Sequence, residues 1–259
     1  MGETTPLVTL ITHTPEPEKV IACAAKLCYS QKSGAVLNYD MTLEEAKEFL
    51  DKLPGSHGTP FEHATFTFSI EGVSRALSHE LVRHRMANHN QRSQRYVMEG
   101  SFNYVIPEVI KGNTHTAVPF DYNDDEDDFN THLSIEEVFE YAMGSAKDYY
   151  DILLNALKES GVPEKVAFEN ARYVLPNACE TKNMLTMNVR ELHHFFNQRC
   201  CSRALPEMRK VANQMLAICK RTSPILFKDA GPFCVSGACP EANMSCGKQR
   251  EMKEFYGNL

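Results

Sequence analysis

One segment of the chain is almost entirely hydrogen-bond donors: Arg83-His84-Arg85-Met86-Ala87-Asn88-His89-Asn90-Gln91-Arg92-Ser93-Gln94-Arg95-Tyr96. Guanidinium groups bind phosphate bidentately and keep their charge at any working pH, so such a segment can hold one or more phosphates. It has no glycine-rich phosphate loop, so an anion would be held by side chains more than by backbone amides. Two other readings compete. A helix that ends in cations complements its own dipole. An RNA-binding patch also needs arginines, but it interleaves them with stacking aromatics, which are sparse here. Ser93 invites a nucleophile reading, yet no Ser-His-Asp arrangement is evident nearby. No cysteine lies in the segment, so a covalent cysteine route is not suggested.

The rest of the composition sharpens the contrast. The chain has 259 residues, with 34 acidic against 27 basic and a net charge of -7. An acidic total argues against a protein that coats nucleic acid. Arg75, Arg83, Arg85, Arg92 and Arg95 nevertheless cluster, with Glu80 as the only carboxylate among them. Asp121, Asp124, Asp125, Glu126, Asp127 and Asp128 form the opposite run, read as a solvated loop over residues 114–133. No stretch approaches the roughly 20 apolar residues of a membrane span. The N-terminus lacks the basic and apolar regions of a signal peptide. Nine cysteines, an odd number, fit free thiols in a reducing cytoplasm.

The elements that must position these residues follow from periodicity. A strand is expected at residues 7–11, then a helix opened by Pro15 and Pro17 that runs to about Tyr29. A loop at 30–40 leads to a second helix, where Thr42 and Glu45 have capping-box spacing, and Pro54-Gly55 ends it. Ala64, Phe66, Phe68 and Ile70 alternate with polar residues, the period of a half-buried strand over 62–70, which Gly72 punctuates. Val73, Leu77 and Leu81 recur at helical spacing, predicting a helix over 73–85 that carries Arg83-His84-Arg85 at its end. Residues 88–93 read as a loop and 96–106 as a second strand. Ser134 and Glu137 cap a long helix that stops at Gly161; Pro163 opens the next, which ends before Pro176. A short strand at 185–187 precedes a helix over 189–199 with Asn188 and Glu191 at cap spacing, and a last helix spans 206–221. One α+β domain over 1–232 with a cysteine-containing tail, 233–259, is the economical division.

The spacing of Arg83-His84-Arg85, seven residues, then Ser93 resembles the signature of the flavin-dependent thymidylate synthases, the thymidylate synthase complementing protein family. Supporting segments make the match specific. Gly58-Thr59-Pro60-Phe61-Glu62-His63 opens the strand in front of the motif. Ala171-Arg172-Tyr173-Val174-Leu175-Pro176 resembles a second family segment. Thr186-Met187-Asn188-Val189-Arg190-Glu191-Leu192 with His194-Phe195 and Arg199 resembles a third. Order and spacing agree over about residues 20 to 220.

The resemblance implies a mixed, largely antiparallel sheet flanked by long helices, in a single-domain protomer of a cytoplasmic homotetramer. It implies a methyltransferase that makes dTMP from dUMP, with methylenetetrahydrofolate as one-carbon donor, FAD as cofactor and NADPH as reductant. His63, Arg83, His84, Arg85, Gln91, Asn188 and His194 are then expected at FAD. Glu80, Gln91, Ser93, Gln94, Arg95, Arg172 and Arg199 are expected at dUMP, with Arg199 catalytic. Gln91 stands where some members carry Glu, Glu80 where others carry Gln, and Cys28 where a Ser is common. Gln91 can bind uracil or ribose but cannot act as a base, and a thiol is a poorer hydrogen-bond partner than a hydroxyl. A related flavin enzyme acting on another pyrimidine nucleotide, and a nucleic-acid-binding protein using the arginine patch, are the alternatives. No nucleic acid or membrane partner is expected. His193 is read as a packing or surface residue, Phe195 and Phe196 as core, and Tyr96 as lining the site or packing under the strand. In the tail, Cys234, Cys239 and Cys246 lie within thirteen residues and could ligate zinc with Cys200 or Cys201 as fourth ligand. Their spacing is not a C-x2-C pair, so separate reduced thiols and no metal are expected.

Overall fold

A computed structural model of the protein describes residues 1–53, 58–117 and 133–259. The acidic run at 121–128 and the Pro54-Gly55 stop lie outside the described residues. In chain order the elements are β1 (Leu7–His13), α1 (Pro17–Leu27), α2 (Gly34–Asp40), α3 (Leu43–Asp51), β2 (Thr65–Ser74), α4 (Arg75–Leu81) and β3 (Asn88–Gln91). Then follow α5 (Ile135–Glu159), α6 (Glu164–Ala171), β4 (Glu180–Asn188), α7 (Val189–Arg199), α8 (Pro206–Thr222), α9 (Pro224–Phe227), α10 (Phe233–Ser236) and α11 (Gln249–Gly257). The four strands form one sheet in the order β1-β2-β4-β3, and β1 pairs antiparallel with β2. Helices and a largely antiparallel sheet together make the fold α+β.

The chain falls into two compact units interleaved along the sequence. The first comprises 1–5, 72–78 and 91–182; the second comprises 6–71, 79–90 and 183–259.

The second unit is built on the alternation in β2. Phe66, Phe68 and Ile70 are fully buried, while Thr67 on the other face meets the Thr186 hydroxyl at 2.9 Å. Phe227 meets Phe66 and Phe196 edge-on at 5.6 and 6.1 Å. Each such ring contributes about 2 kcal/mol by leaving water. Helix α8 is pinned beside β1: the Gln214 amide accepts from Val8 N at 3.0 Å and donates to Pro6 O at 2.9 Å. The expected capping box at Thr42 and Glu45 is present in both directions.

The first unit packs α5 on α6 around Tyr150, Leu154, Ala167 and Ala171. A neighbouring cluster joins Phe102, Tyr104, Ile106, Met143 and Cys179. Ser134 and Glu137 form the reciprocal cap of α5. Gly72 does not end β2. It sits inside the strand with φ 67°, and a Cβ there would lie 2.1 Å from Thr5 O, so only glycine fits.

Several expected boundaries move, for identifiable reasons. Residues 34–40 form α2, capped by Ser33, whose hydroxyl accepts from Val36 N. The helix expected over 73–85 is only 75–81, because β2 runs on to Ser74, whose hydroxyl takes Leu77 N at 3.0 Å. Arg83 N and His84 N close onto the carbonyls of Glu80 and Leu81, a tighter i to i-3 turn that leads the chain out of the helix. Residues 88–91, expected as loop, are the edge strand β3, recruited by pairing that no local pattern announces. Residues 96–106 are turns, not a strand: only Tyr104 makes isolated bridges, to Glu3 and Cys179. The expected 185–187 strand is longer, running through the buried polar residues Thr181 and Asn183. The tail adds α10 and α11 beyond the expected last helix, and Tyr256 of α11 is 1% exposed.

Candidate active site

Helix α7 begins where β4 ends. Asn188 caps it, taking Glu191 N at 2.8 Å, and Val189 N donates to Ala64 O at 2.9 Å. This fixes Glu191 in the first turn and Arg199 in the last. The turn after α4 brings His84 onto the same helix: its ring lies edge-on to Phe195 at 4.9 Å.

A chain of four side chains results. Arg199 Nε donates to His84 Nε2 at 3.0 Å, and Arg199 Nη1 donates to Glu80 Oε2 at 3.1 Å. Arginine has no acceptor, so His84 Nε2 must be the unprotonated nitrogen. The proton then sits on Nδ1, which donates to Glu191 Oε1 at 3.3 Å. Burial, with Arg199 and His194 close by, pushes the His84 pKa down to about 4. The contact between His84 and Glu191 is therefore a hydrogen bond of a neutral imidazole, not an ion pair. Burial raises the Glu191 carboxyl, against the pull of His194. Arg199 is thus the fixed cation of this group, aimed by a neutral histidine and a carboxylate.

Beside it, Glu62, Met86, Asn188, Arg190, Glu191 and His194 line a cavity of about 410 Å³. Arg190 pairs with Glu62 and lies across Gly58, where a Cβ would meet its Nε at 3.1 Å. Arg190 also borders a second cavity, of about 550 Å³, walled by Leu50, Phe61, His193 and Lys228 among others. Arg83 and Arg85 are exposed, and no carboxylate pairs with them among the described residues. His63 is exposed as well.

The remaining expected residues belong to the first unit. Ser78 gives its hydroxyl proton to Arg75 O at 2.9 Å, so its oxygen can only accept from Gln91 Nε2, also at 2.9 Å. Gln91 Nε2 reaches Thr181 Oγ1 at 3.1 Å too, which leaves its oxygen as a free acceptor. Ser93 Oγ accepts from Arg95 N at 3.2 Å. Arg95 Nη2 donates to Glu169 Oε2 at 3.0 Å, while its buried Nε has no aligned acceptor. Arg172 Nε donates to Glu169 O at 3.1 Å, and its guanidinium lies over the Tyr173 ring.

Two members of the arginine segment turn inward instead. Gln94 is buried, with Nε2 on Cys179 Sγ at 3.7 Å, so its amide faces the core. Arg92 Nη2 ties Glu99 Oε2 and Glu180 O, both at 3.1 Å, so this cation serves the fold. Burial raises the Glu99 carboxyl, with Arg92 opposing. His193 packs as expected: Nε2 meets Leu226 O at 2.9 Å and the ring stacks on Phe227. Phe195 and Phe196 are fully buried core. Tyr96 is not buried under the sheet; it is 64% exposed with the Lys165 ammonium 4.6 Å above its ring.

Residues 9–225 match the family described as thymidylate synthase complementing protein. The chain belongs to this family. It is 45% identical to the flavin-dependent thymidylate synthase of Clostridium tetani, over 96% of each chain. It is 43% identical to the flavin-dependent thymidylate synthase of Geobacter sulfurreducens, over 97% of this chain and 98% of that one. A third relative, the enzyme of the same name from Pyrococcus abyssi, is 37% identical over 92% of this chain.

Within this family member, sequence reasoning missed the partners. Glu191 was legible only as a cap residue, although its carboxylate also holds His84. Arg190 and Glu62 lay inside the quoted segments without a role. Glu169, which holds Arg95, carried no signal at all. No helix among the described residues is long and apolar enough to cross a membrane.

Proposed function

We propose that the chain is a flavin-dependent thymidylate synthase that makes dTMP from dUMP, taking one carbon from methylenetetrahydrofolate and reducing equivalents from NADPH. The observation that carries this is the His84–Arg199–Glu80 chain beside a cavity bordered by Asn188, Arg190 and His194, in a member of that family. The residues fit FAD. Arg190 borders both cavities, which suits a ligand with two ends and an anionic middle, and Arg83 and Arg85 are cations without carboxylate partners. A bound flavin supplies the redox chemistry, which no side chain here can perform.

The chain's own residues bind and orient. Arg83, Arg85 and Arg190 hold phosphates; Asn188, His194 and His63 contact the flavin. Ser93, Arg95 and Arg172 hold the dUMP phosphate, which competes with the Glu169 carboxylate for Arg95. Gln91 offers an acceptor oxygen to the N3–H of uracil, where cytosine has no proton to give. Arg199, fixed by Glu80 and His84, stabilises negative charge that develops on the pyrimidine ring, because an oriented cation needs no reorganisation. The working assembly is a homotetramer in the cytoplasm.

The test is the absorbance spectrum of the purified protein, with and without added FAD. A yellow protein whose flavin band bleaches with NADPH supports the proposal. Protein that binds no FAD refutes it. A panel of dUMP, dCMP and UMP checks the Gln91 role: dUMP is expected to be turned over and dCMP not.

A further inference from the structure

The thiols of the tail have no part in this reaction. Cys234, Cys239 and Cys246 nevertheless line one cavity, of about 390 Å³, together with Cys201. Cys201 lies in the turn between α7 and α8, Cys234 in α10, and Cys239 and Cys246 on loops either side of a single helical turn at Ala242–Met244. Cys200, the other candidate for fourth partner, is fully buried, and its carbonyl takes the Tyr256 hydroxyl at 2.8 Å. The structure therefore selects Cys201.

We propose that Cys201, Cys234, Cys239 and Cys246 form a zinc site that fastens the tail to the α7–α8 turn. Zinc takes four thiolates in closed, structural sites, each at about 2.3 Å. Each thiol loses its proton to solvent as its Zn–S bond forms, and no oxidant is needed.

The tail has a need for such a staple. Between residues 233 and 259 only Cys234 and Tyr256 are buried apolar side chains. A segment with so little core of its own is the situation in which a metal supplies the missing stability. The surroundings are prepared as well. The Ser202 hydroxyl donates to Cys246 Sγ at 3.1 Å, the kind of outer bond that orients a metal thiolate. Gln249 Nε2 clamps the carbonyls of Cys234 and Gly237, at 3.3 and 3.1 Å, and Arg203 meets Glu241 at 3.4 Å across the same cavity.

Among the described residues no three His, Cys, Asp or Glu side chains are gathered closely enough to hold an ion, so a zinc would have to draw these thiols together. Cys234 is buried, while Cys239 is half-buried and Cys246 exposed on its loop, so the two loop thiols are the ones that move inward.

The experiment is metal analysis of the full chain, purified under reductant from zinc-supplemented medium without chelator. About one zinc per chain is expected, as one closed site requires. It should be lost in Cys239→Ser and Cys246→Ser and kept in Cys28→Ser, whose thiol is exposed elsewhere. Should those variants fail to fold, Co²⁺ added to the metal-free wild type is the second arm, and intense thiolate-to-cobalt absorption is expected. A content below about a tenth of a zinc per chain, before and after incubation with Zn²⁺, overturns the proposal. So does zinc that persists in both serine variants, a cobalt spectrum without thiolate bands, or a metal-free protein with these cysteines paired as disulfides. None of these readouts involves flavin or dTMP, so the site stands or falls apart from the proposed function.

Discussion

Arg199 and Arg95 each face a partly exposed glutamate, yet the two guanidiniums lie at different depths. Arg199 is 22% exposed and is held by a histidine whose side chain is 4% exposed. Arg95 is 42% exposed and its Glu169 partner 35%. The first guanidinium is wired into a buried chain that runs to Glu191. The second is held by the Glu169 carboxylate and keeps a buried Nε without an aligned acceptor. Identical chemistry therefore gives a fixed cation in one unit and an exchangeable one in the other. A fixed cation suits charge that appears only as a reaction proceeds; an exchangeable one suits a phosphate that must come and go.

Breaking the buried chain should give the largest effect. His84→Ala leaves Arg199 Nε and the Glu191 carboxylate without a partner inside the protein, and a loss of about 3 kcal/mol is expected from urea unfolding. A loss below about 1 kcal/mol would mean the chain is no tighter than a surface pair.

Acid should act through the same histidine. Its folded pKa of about 4 lies below the ordinary 6.5, so the unfolded chain binds the extra proton first. The contribution is present in full above pH 6.5 and is lost as pH falls toward 4, up to about 3 kcal/mol. Glu191 works the other way, because its raised carboxyl takes up a proton first in the folded state. Urea midpoints at pH 7 and pH 4.5 should therefore differ less in His84→Gln than in the wild type, and more in Glu191→Gln. Nitrogen NMR at pH 7 should show a neutral His84 with its proton on Nδ1. An Nε2–H tautomer would contradict the Arg199 contact.

The surface pair predicts a different split. Arg95→Ala should weaken dUMP binding by about 1.5 kcal/mol, read by titration calorimetry, because a charge-assisted contact is lost. Its stability should barely change. Glu169→Gln should be the mildest, costing about 0.5 kcal/mol in unfolding while tightening dUMP binding, since the phosphate no longer competes with a carboxylate. Weaker dUMP binding in Glu169→Gln would sink the idea that Arg95 is exchangeable.

The same contrast of local against distant explains what could be read beforehand. The capping boxes at Thr42 and Ser134, the Asn188 cap and the alternation in β2 were legible because their partners lie within a few residues. The extent of α4 and the existence of β3 were not, because strand pairing decided both. The arginine motif drew attention to His84 and Arg95, but not to the carboxylates that aim them. Glu191 is 107 residues from His84, and Glu80 is 119 from Arg199, and no spacing rule spans such distances. Gln94 shows the converse limit: a polar side chain within a motif can still belong to the interior.

The most direct measurement is dTMP formation from dUMP, methylenetetrahydrofolate and NADPH, by the wild-type protein stripped of flavin and then reloaded with FAD. The account predicts dTMP only after FAD is restored. No dTMP from FAD-loaded protein, or equal dTMP from the flavin-free protein, would contradict it.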